Sequence, residues 1–280
     1  MSRPMPLLIT RAAPARSAGF TLVEIMIALT LGLIVLLAVG SIYINSRQTY
    51  RVQEDNARLQ EAGKYALEVL GQSFRKAGAD AELNYNQTIP SAICVPPLCT
   101  PVDNNGVALA TDTIRNQLFS AREELLGAVW GTRNCIGGHI AAGAVVTNIF
   151  DVAADPASAA TGNGLRCRDG TAGAPGEILV SNIEDFQVMY GIDTNGDFTA
   201  DRYVDTPANW AQVMTARVCI LIQSASNGLV PAGQRYLNCA GALGTALPGA
   251  AFSVAGAGDS RLHRSFVATY NLRNRINVMP

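Results

Sequence analysis

Charge is scarce along this chain: Asp, Glu, Lys and Arg make up 15% of its 280 residues, and 21 basic against 22 acidic side chains leave a net charge of -1. Bulk attraction to nucleic acid or acidic lipid is therefore not expected, and no direct nucleic-acid binding is predicted. Lysine is reduced to Lys64 and Lys76. Neither follows a glycine-rich phosphate loop, which excludes a nucleotide-driven motor from this chain. Histidine is reduced to His139 and His263, no C-x-x-C pair occurs, and zinc-finger spacing is therefore absent. Proline is missing from residues 20–89, which removes the strongest interrupter of a helix over that stretch.

The length permits one large globular domain with an appendage, or two small domains. Six cysteines are present, Cys94, Cys99, Cys135, Cys167, Cys219 and Cys239. All lie downstream of the apolar segment described next, where export would place them in an oxidising compartment. An even count fits three disulfides, and six cysteines allow about 15 pairings. Neighbours in sequence favour Cys94 with Cys99, Cys135 with Cys167, and Cys219 with Cys239.

Residues 1–19 carry Arg3, Arg11 and Arg16 and no acid, which holds this end in the cytoplasm by the positive-inside rule. An apolar run follows from Phe20 to Ile44. At about 1.5 Å per residue it exceeds the roughly 30 Å hydrocarbon core of a bilayer. A secretory signal is shorter and places its small-residue cleavage site after the apolar region, whereas here the small residues precede it.

The junction reads Ser17-Ala18-Gly19-Phe20-Thr21-Leu22-Val23-Glu24 and resembles the prepilin N-terminal motif of type IV pilins and type II secretion pseudopilins. The resemblance implies cleavage between Gly19 and Phe20 by an inner-membrane prepilin peptidase, followed by N-methylation of Phe20. Glu24 would then be the fifth mature residue. A carboxylate within an apolar helix costs a few kcal/mol and marks a functional candidate. The resemblance implies that the amino terminus of an adjacent subunit supplies its partner in a filament. The competing reading is a Glu that snorkels from near the membrane edge.

Polar residues enter beyond Ile44 without loss of helical spacing. Leu59, Ala62, Ala66, Leu70, Phe74 and Ala77 recur at three to four residues and predict an amphipathic continuation, with Gly78 as its stop. Short strands are expected beyond it: 177–192 and 265–278 by alternation, and 213–224 through the buried run Val218-Cys219-Ile220-Leu221-Ile222. The runs 153–176 and 240–258 are rich in small residues and expected to be mostly loop. The arrangement resembles the PilW family of minor pilins, in the helix end from Tyr65 to Gly78 and in the last strand, Thr269-Tyr270-Asn271-Leu272-Arg273-Asn274-Arg275. The resemblance implies an α+β, pilin-like fold, a long N-terminal helix packed on a mainly antiparallel sheet domain with long loops. Its parts are a leader (1–19), a transmembrane and filament-core helix (20–44), the amphipathic continuation (45–78) and an exported disulfide-bearing domain (79–280).

Asp193-Thr194-Asn195-Gly196-Asp197-Phe198-Thr199-Ala200-Asp201 places oxygen ligands at alternate positions about a glycine, as calcium requires. Phe198 stands where an EF-hand has glycine, and Val204 where it has its closing Glu. Two readings stay open: calcium held by Asp193, Asn195, Asp197 and Asp201, or a hairpin whose Asn195-Gly196 pair makes a type I′ turn. Gly258-Asp259-Ser260 with His263 echoes a GDSL hydrolase at the wrong spacing, which leaves Asp259 and His263 as surface groups and predicts no catalytic residues. Trp130, Trp210, Tyr190 and Tyr203 are expected in the core, and Arg273 and Arg275 on a solvated strand face.

The resemblance implies a minor pilin, not an enzyme, held in the inner membrane with its C-terminal domain in the periplasm and then extracted into a type IV pilus near its tip. Twitching, adhesion or DNA uptake would lie downstream. The implied partners are other minor pilins, the major pilin, a tip adhesin, the inner-membrane assembly platform and the prepilin peptidase. The alternatives are a minor pseudopilin of a type II secretion system and a membrane-tethered periplasmic hydrolase using Ser260.

Overall fold

The structure, a computed structural model, describes residues 19–76, 114–119, 134–138, 145–158, 161–169, 175–209, 212–245 and 250–272. Gly78, Cys94, Cys99, Trp130, His139, Trp210, Arg273 and Arg275 lie outside the described residues.

Helix α1 runs from Leu22 to Lys76, 55 residues without a break. Thr21 caps its start: the Glu24 amide donates to Thr21 Oγ1 at 3.3 Å, and the Ile25 amide donates to the Thr21 carbonyl. The chain divides into two units between Thr49 and Tyr50. In the first, Leu29, Leu33, Leu36 and Leu37 are each about 60% exposed or more. None of the apolar stretch of this helix is buried within the chain, and the helix is long and apolar enough to cross a membrane.

The second unit opens with the amphipathic half of α1. Leu59, Ala66, Leu70 and Phe74 are buried and form one seam at helical spacing. The seam packs into a core with residues of two antiparallel sheets. One sheet has the order β1 (Ile114–Phe119), β2 (Val145–Ala154), β3 (Asn163–Asp169), β4 (Gly176–Ser181). In the other, β5 (Ile183–Ile192) pairs with β6 (Arg202–Val204) and with β7 (Val213–Gln223), and β7 also pairs with β10 (His263–Asn271). A small hairpin joins β8 (Arg235–Leu237) to β9 (Phe252–Val254), and α2 (Cys239–Leu243) lies between them in sequence.

The apolar run in β7 is buried on both faces. Val218, Ile220 and Ile222 join the core under α1, while Cys219 and Leu221 join a second cluster with Met189, Cys239 and Leu243 of α2. A strand covered on both sides reads as continuous rather than alternating apolar sequence.

Two expectations change. The strand expected over 177–192 is two strands in different sheets, broken at Asn182, whose φ of 61 is left-handed, a conformation asparagine tolerates better than most residues. Among its described residues the run 153–176 is not mostly loop. It contains the end of β2 and all of β3, with Leu165 and Cys167 fully buried. Its small residues serve close strand approach: a Cβ at Gly164 would lie 2.9 Å from the Val180 carbonyl oxygen. Among its described residues the run 240–258 is mostly loop, as expected, with the short α2 and β9 set within it. There Asn238 caps α2 by accepting the Gly241 amide at 2.8 Å, and Gly244 ends it at φ 79.

Candidate assembly surface

Gly19 and Phe20 are exposed and precede the first turn of α1. Glu24 sits three residues after the capping Thr21, exposed, with no described residue paired to its carboxylate. Its charge there suits the positive end of the helix dipole. Around it the helix presents mostly uncovered apolar side chains, with Thr21 and Thr30 among them. This surface has no acid–base or nucleophilic chemistry to offer, but it can bury against other helices of the same kind.

The far half of α1 is docked by strand β10. Phe266 and Tyr270 lie four residues apart, hence on one face of the strand. Each stands over a glycine of the helix: a Cβ at Gly63 would fall 2.5 Å from the Phe266 ring, and one at Gly71 2.6 Å from that of Tyr270. Tyr270 donates its hydroxyl to the Leu67 carbonyl at 2.5 Å and stacks on Phe74 at 5.4 Å between ring centroids. Burial, with Glu68 reinforcing it and Arg75 opposing it, pushes the hydroxyl up to about 12. The two glycines carried a signal of this approach, a spacing of eight residues, that the apolar periodicity did not use.

Disulfides join Cys135 to Cys167 and Cys219 to Cys239. The first ties the 134–138 segment to β3, and the second ties α2 to β7. Tyr190 is buried in the core under α1. Tyr203 is half-buried, with the Arg217 guanidinium 4.1 Å above its ring.

The loop 193–201 joins β5 to β6, with Ile192 paired to Arg202. It is not a two-residue type I′ hairpin. That turn needs positive φ at both Asn195 and Gly196, whereas the positive values here are Gly196 (84) and Phe198 (63). The Asp193 carboxylate accepts the amides of Asn195, Gly196 and Phe198 at 3.1, 2.7 and 2.9 Å. Asp201 accepts the Thr194 amide and hydroxyl, and Asp197 accepts those of Thr199. These hydrogen bonds hold the Asp197 and Asp201 carboxyls below their usual range. Among the described residues no group of three or more His, Cys, Asp or Glu side chains is arranged to hold a metal ion.

His263 is not a surface group. Its side chain is 3% exposed, stacked on the Tyr236 ring at 4.1 Å. Its Nδ1 lies 2.8 Å from Glu184 Oε2 and its Nε2 3.2 Å from Asp259 Oδ2. Glu184 also accepts the Tyr236 hydroxyl at 2.6 Å and the Gln223 amide at 3.2 Å. Burial pushes the Glu184 carboxyl up, but the hydrogen bonds from His263, Tyr236 and Gln223 outweigh it and hold the group below its usual value. The imidazole thus hydrogen-bonds Glu184 through Nδ1, while Nε2, though near Asp259, makes no hydrogen bond; Ser260 instead donates its amide to Asn227 at 2.8 Å. Ser260 and His263 do not form a nucleophile pair.

Two family profiles match the chain: the prokaryotic N-terminal methylation motif over residues 14–40 and the type IV pilus-assembly protein W over residues 150–274. The first spans the Gly19–Phe20 junction and Glu24, and the second runs from within β2 to just past β10. Together the two matches support a type IV pilus minor pilin similar to the pilus-assembly protein W family. A type IV-like pilin from Thermus thermophilus is similar at 15% identity, over 60% of this chain and 81% of that one, with a TM-score of 0.36. No curated protein sequence matches the chain. These matches support a minor pilin role in type IV pilus assembly, and the methylation motif with the uncovered apolar first half of α1 supports a membrane-anchored pilin. Members of such families are structural rather than enzymatic.

Proposed function

We propose that this minor pilin is cut after Gly19, methylated at Phe20, and held with its C-terminal domain in the periplasm until it enters a pilus, where it acts in initiation near the tip. The observation that carries the proposal is Glu24, an acid in the first turn of a helix whose neighbouring side chains are mostly apolar and uncovered. A charge in such a place requires a partner, and the free amino terminus of a neighbouring subunit is a cation created by the cleavage itself. Its partners are then other minor pilins, the major pilin, a tip adhesin, the prepilin peptidase and the inner-membrane platform. Co-expression with a prepilin peptidase should yield a protein beginning at methylated Phe20, read by mass spectrometry. An intact Met1 refutes the processing. Glu24→Ala should leave membrane insertion unchanged and sharply reduce piliation.

The same N-terminal motif serves type II secretion pseudopilins, so a deletion strain decides between them. Loss of pili supports the minor-pilin role, and loss of secreted exoproteins with pili intact supports the pseudopilin role.

A further inference from the structure

The buried seam of α1 does not begin at Leu59. One turn earlier on the same face stands Asp55, only 8% exposed, and no described residue hydrogen-bonds or ion-pairs with it. The residue is mostly covered, yet its carboxylate is not sealed off and opens to a cleft, where a cation that reaches it would be held at short range. Asp55 lines a cleft of about 450 Å³ between α1 and the ends of β4 and β7. Glu61 stands on the cleft wall with it, while Leu59, Val180 and Ile222 supply aliphatic lining. Arg58 also reaches the cleft, but Glu54 engages it at 2.6 Å, and its side chain is 70% exposed.

The chemistry of the lining selects the occupant. Two carboxylates without a third are too few for a metal cage, and no group of three or more candidate ligands occurs among the described residues. Aliphatic walls with an acidic end match a side chain that has a methylene stem and a cationic tip. Building on the reading of the chain as a pilus component, we propose that this cleft receives an arginine or lysine side chain from a neighbouring pilus subunit, its tip paired with Asp55 and Glu61. The seam of α1 is thereby completed on assembly, and the lone subunit carries an unpaired acid until then.

The test places the photocrosslinker p-benzoylphenylalanine at Tyr65, which lines the same cleft, in the full-length protein in piliated cells, with the captured peptide sequenced by mass spectrometry. The expected product is a pilus-subunit peptide with Arg or Lys at or next to the crosslink. Asp55→Asn should cut its yield roughly tenfold or more, because it removes one partner of a buried charge pair. In the purified full chain in detergent, Asp55→Asn should leave the unfolding temperature unchanged or raise it. A captured peptide without a basic residue, a yield indifferent to Asp55→Asn, or no captured peptide overturns the proposal. So does a fall in the variant's unfolding temperature, which would give Asp55 a partner inside the chain. Calcium raising the wild-type unfolding temperature but not the variant's would overturn it in favour of a metal. A deletion strain separates the two levels. Normal pili without the gene remove the pilus reading itself, whereas lost pili with an Asp55-independent crosslink remove only the cleft proposal.

Discussion

Truncating Phe74 to alanine isolates what holds the amphipathic half of α1 to the sheet domain. Phe74 is fully buried and stacks on Tyr270, so Phe74→Ala removes a whole ring from a closed core. Such substitutions cost about 3–5 kcal/mol, a transfer contribution plus a cavity contribution. Loss of the aromatic pair accounts for about 0.5–1.5 kcal/mol of it. Against a total stability of roughly 5–15 kcal/mol for a folded domain, this is a substantial fraction of what keeps the domain folded. The control is Leu33→Ala, a comparable truncation at a side chain 60% exposed in the isolated chain, which should change domain stability by less than about 0.5 kcal/mol. Urea unfolding of the full chain in detergent, followed by near-UV circular dichroism, reads both. Tyr270→Phe should cost about 1 kcal/mol through the lost hydrogen bond to the Leu67 carbonyl. A Phe74→Ala loss below about 1 kcal/mol, or one no larger than that of Leu33→Ala, would refute the helix–sheet dock as the main fastening of this half of α1.

Cys239→Ser opens a disulfide that closes a 20-residue separation and should lower stability by about 3 kcal/mol, measured against the oxidised wild type in the same urea series. Glu184 is held below the ordinary glutamate value of 4.5, so it contributes stability above that pH that is lost as pH falls through its folded value. Glu184→Gln should flatten the acid limb of a stability–pH curve, and an unchanged limb would show the clamp to be inert. Tyr270, raised from 10 to about 12, contributes stability that is complete below pH 10 and lost as pH rises toward 12. Tyr270→Phe should remove that alkaline loss. Isothermal titration of the full chain with calcium, alongside Asp193→Asn, decides whether the 193–201 loop binds an ion. Heat from the wild type that is absent in the variant is the result calcium binding requires.

The apolar anchor was legible because its signals are local. Three arginines ahead of a membrane-length apolar run, small residues before it, and an acid just inside it are all read along one dimension, and the helix follows from the missing prolines. The strand 213–224 was legible for the same reason, since a stretch buried on both faces is apolar throughout. The division of 177–192 was not, because a single asparagine in a left-handed conformation turns the chain from one sheet to the other. No change of composition marks that position. The small-residue run 153–176 misled because strand formation there comes from pairing with β2 and β4, not from its own preference.

Sequence alone determined which stretch is long and apolar enough to cross a membrane, where the chain is expected to be cut, and which residues face the core along α1 from Leu59 onward. These depend on spacing and side-chain type within one segment. Tertiary structure decided what spacing cannot reach: that β10 lies on Gly63 and Gly71, that the buried His263 hydrogen-bonds Glu184, and that Asp55 continues the seam with no partner among the described residues. Each arises from residues distant in sequence meeting at distances of a few ångströms, where burial and pairing, rather than residue type, set the energy.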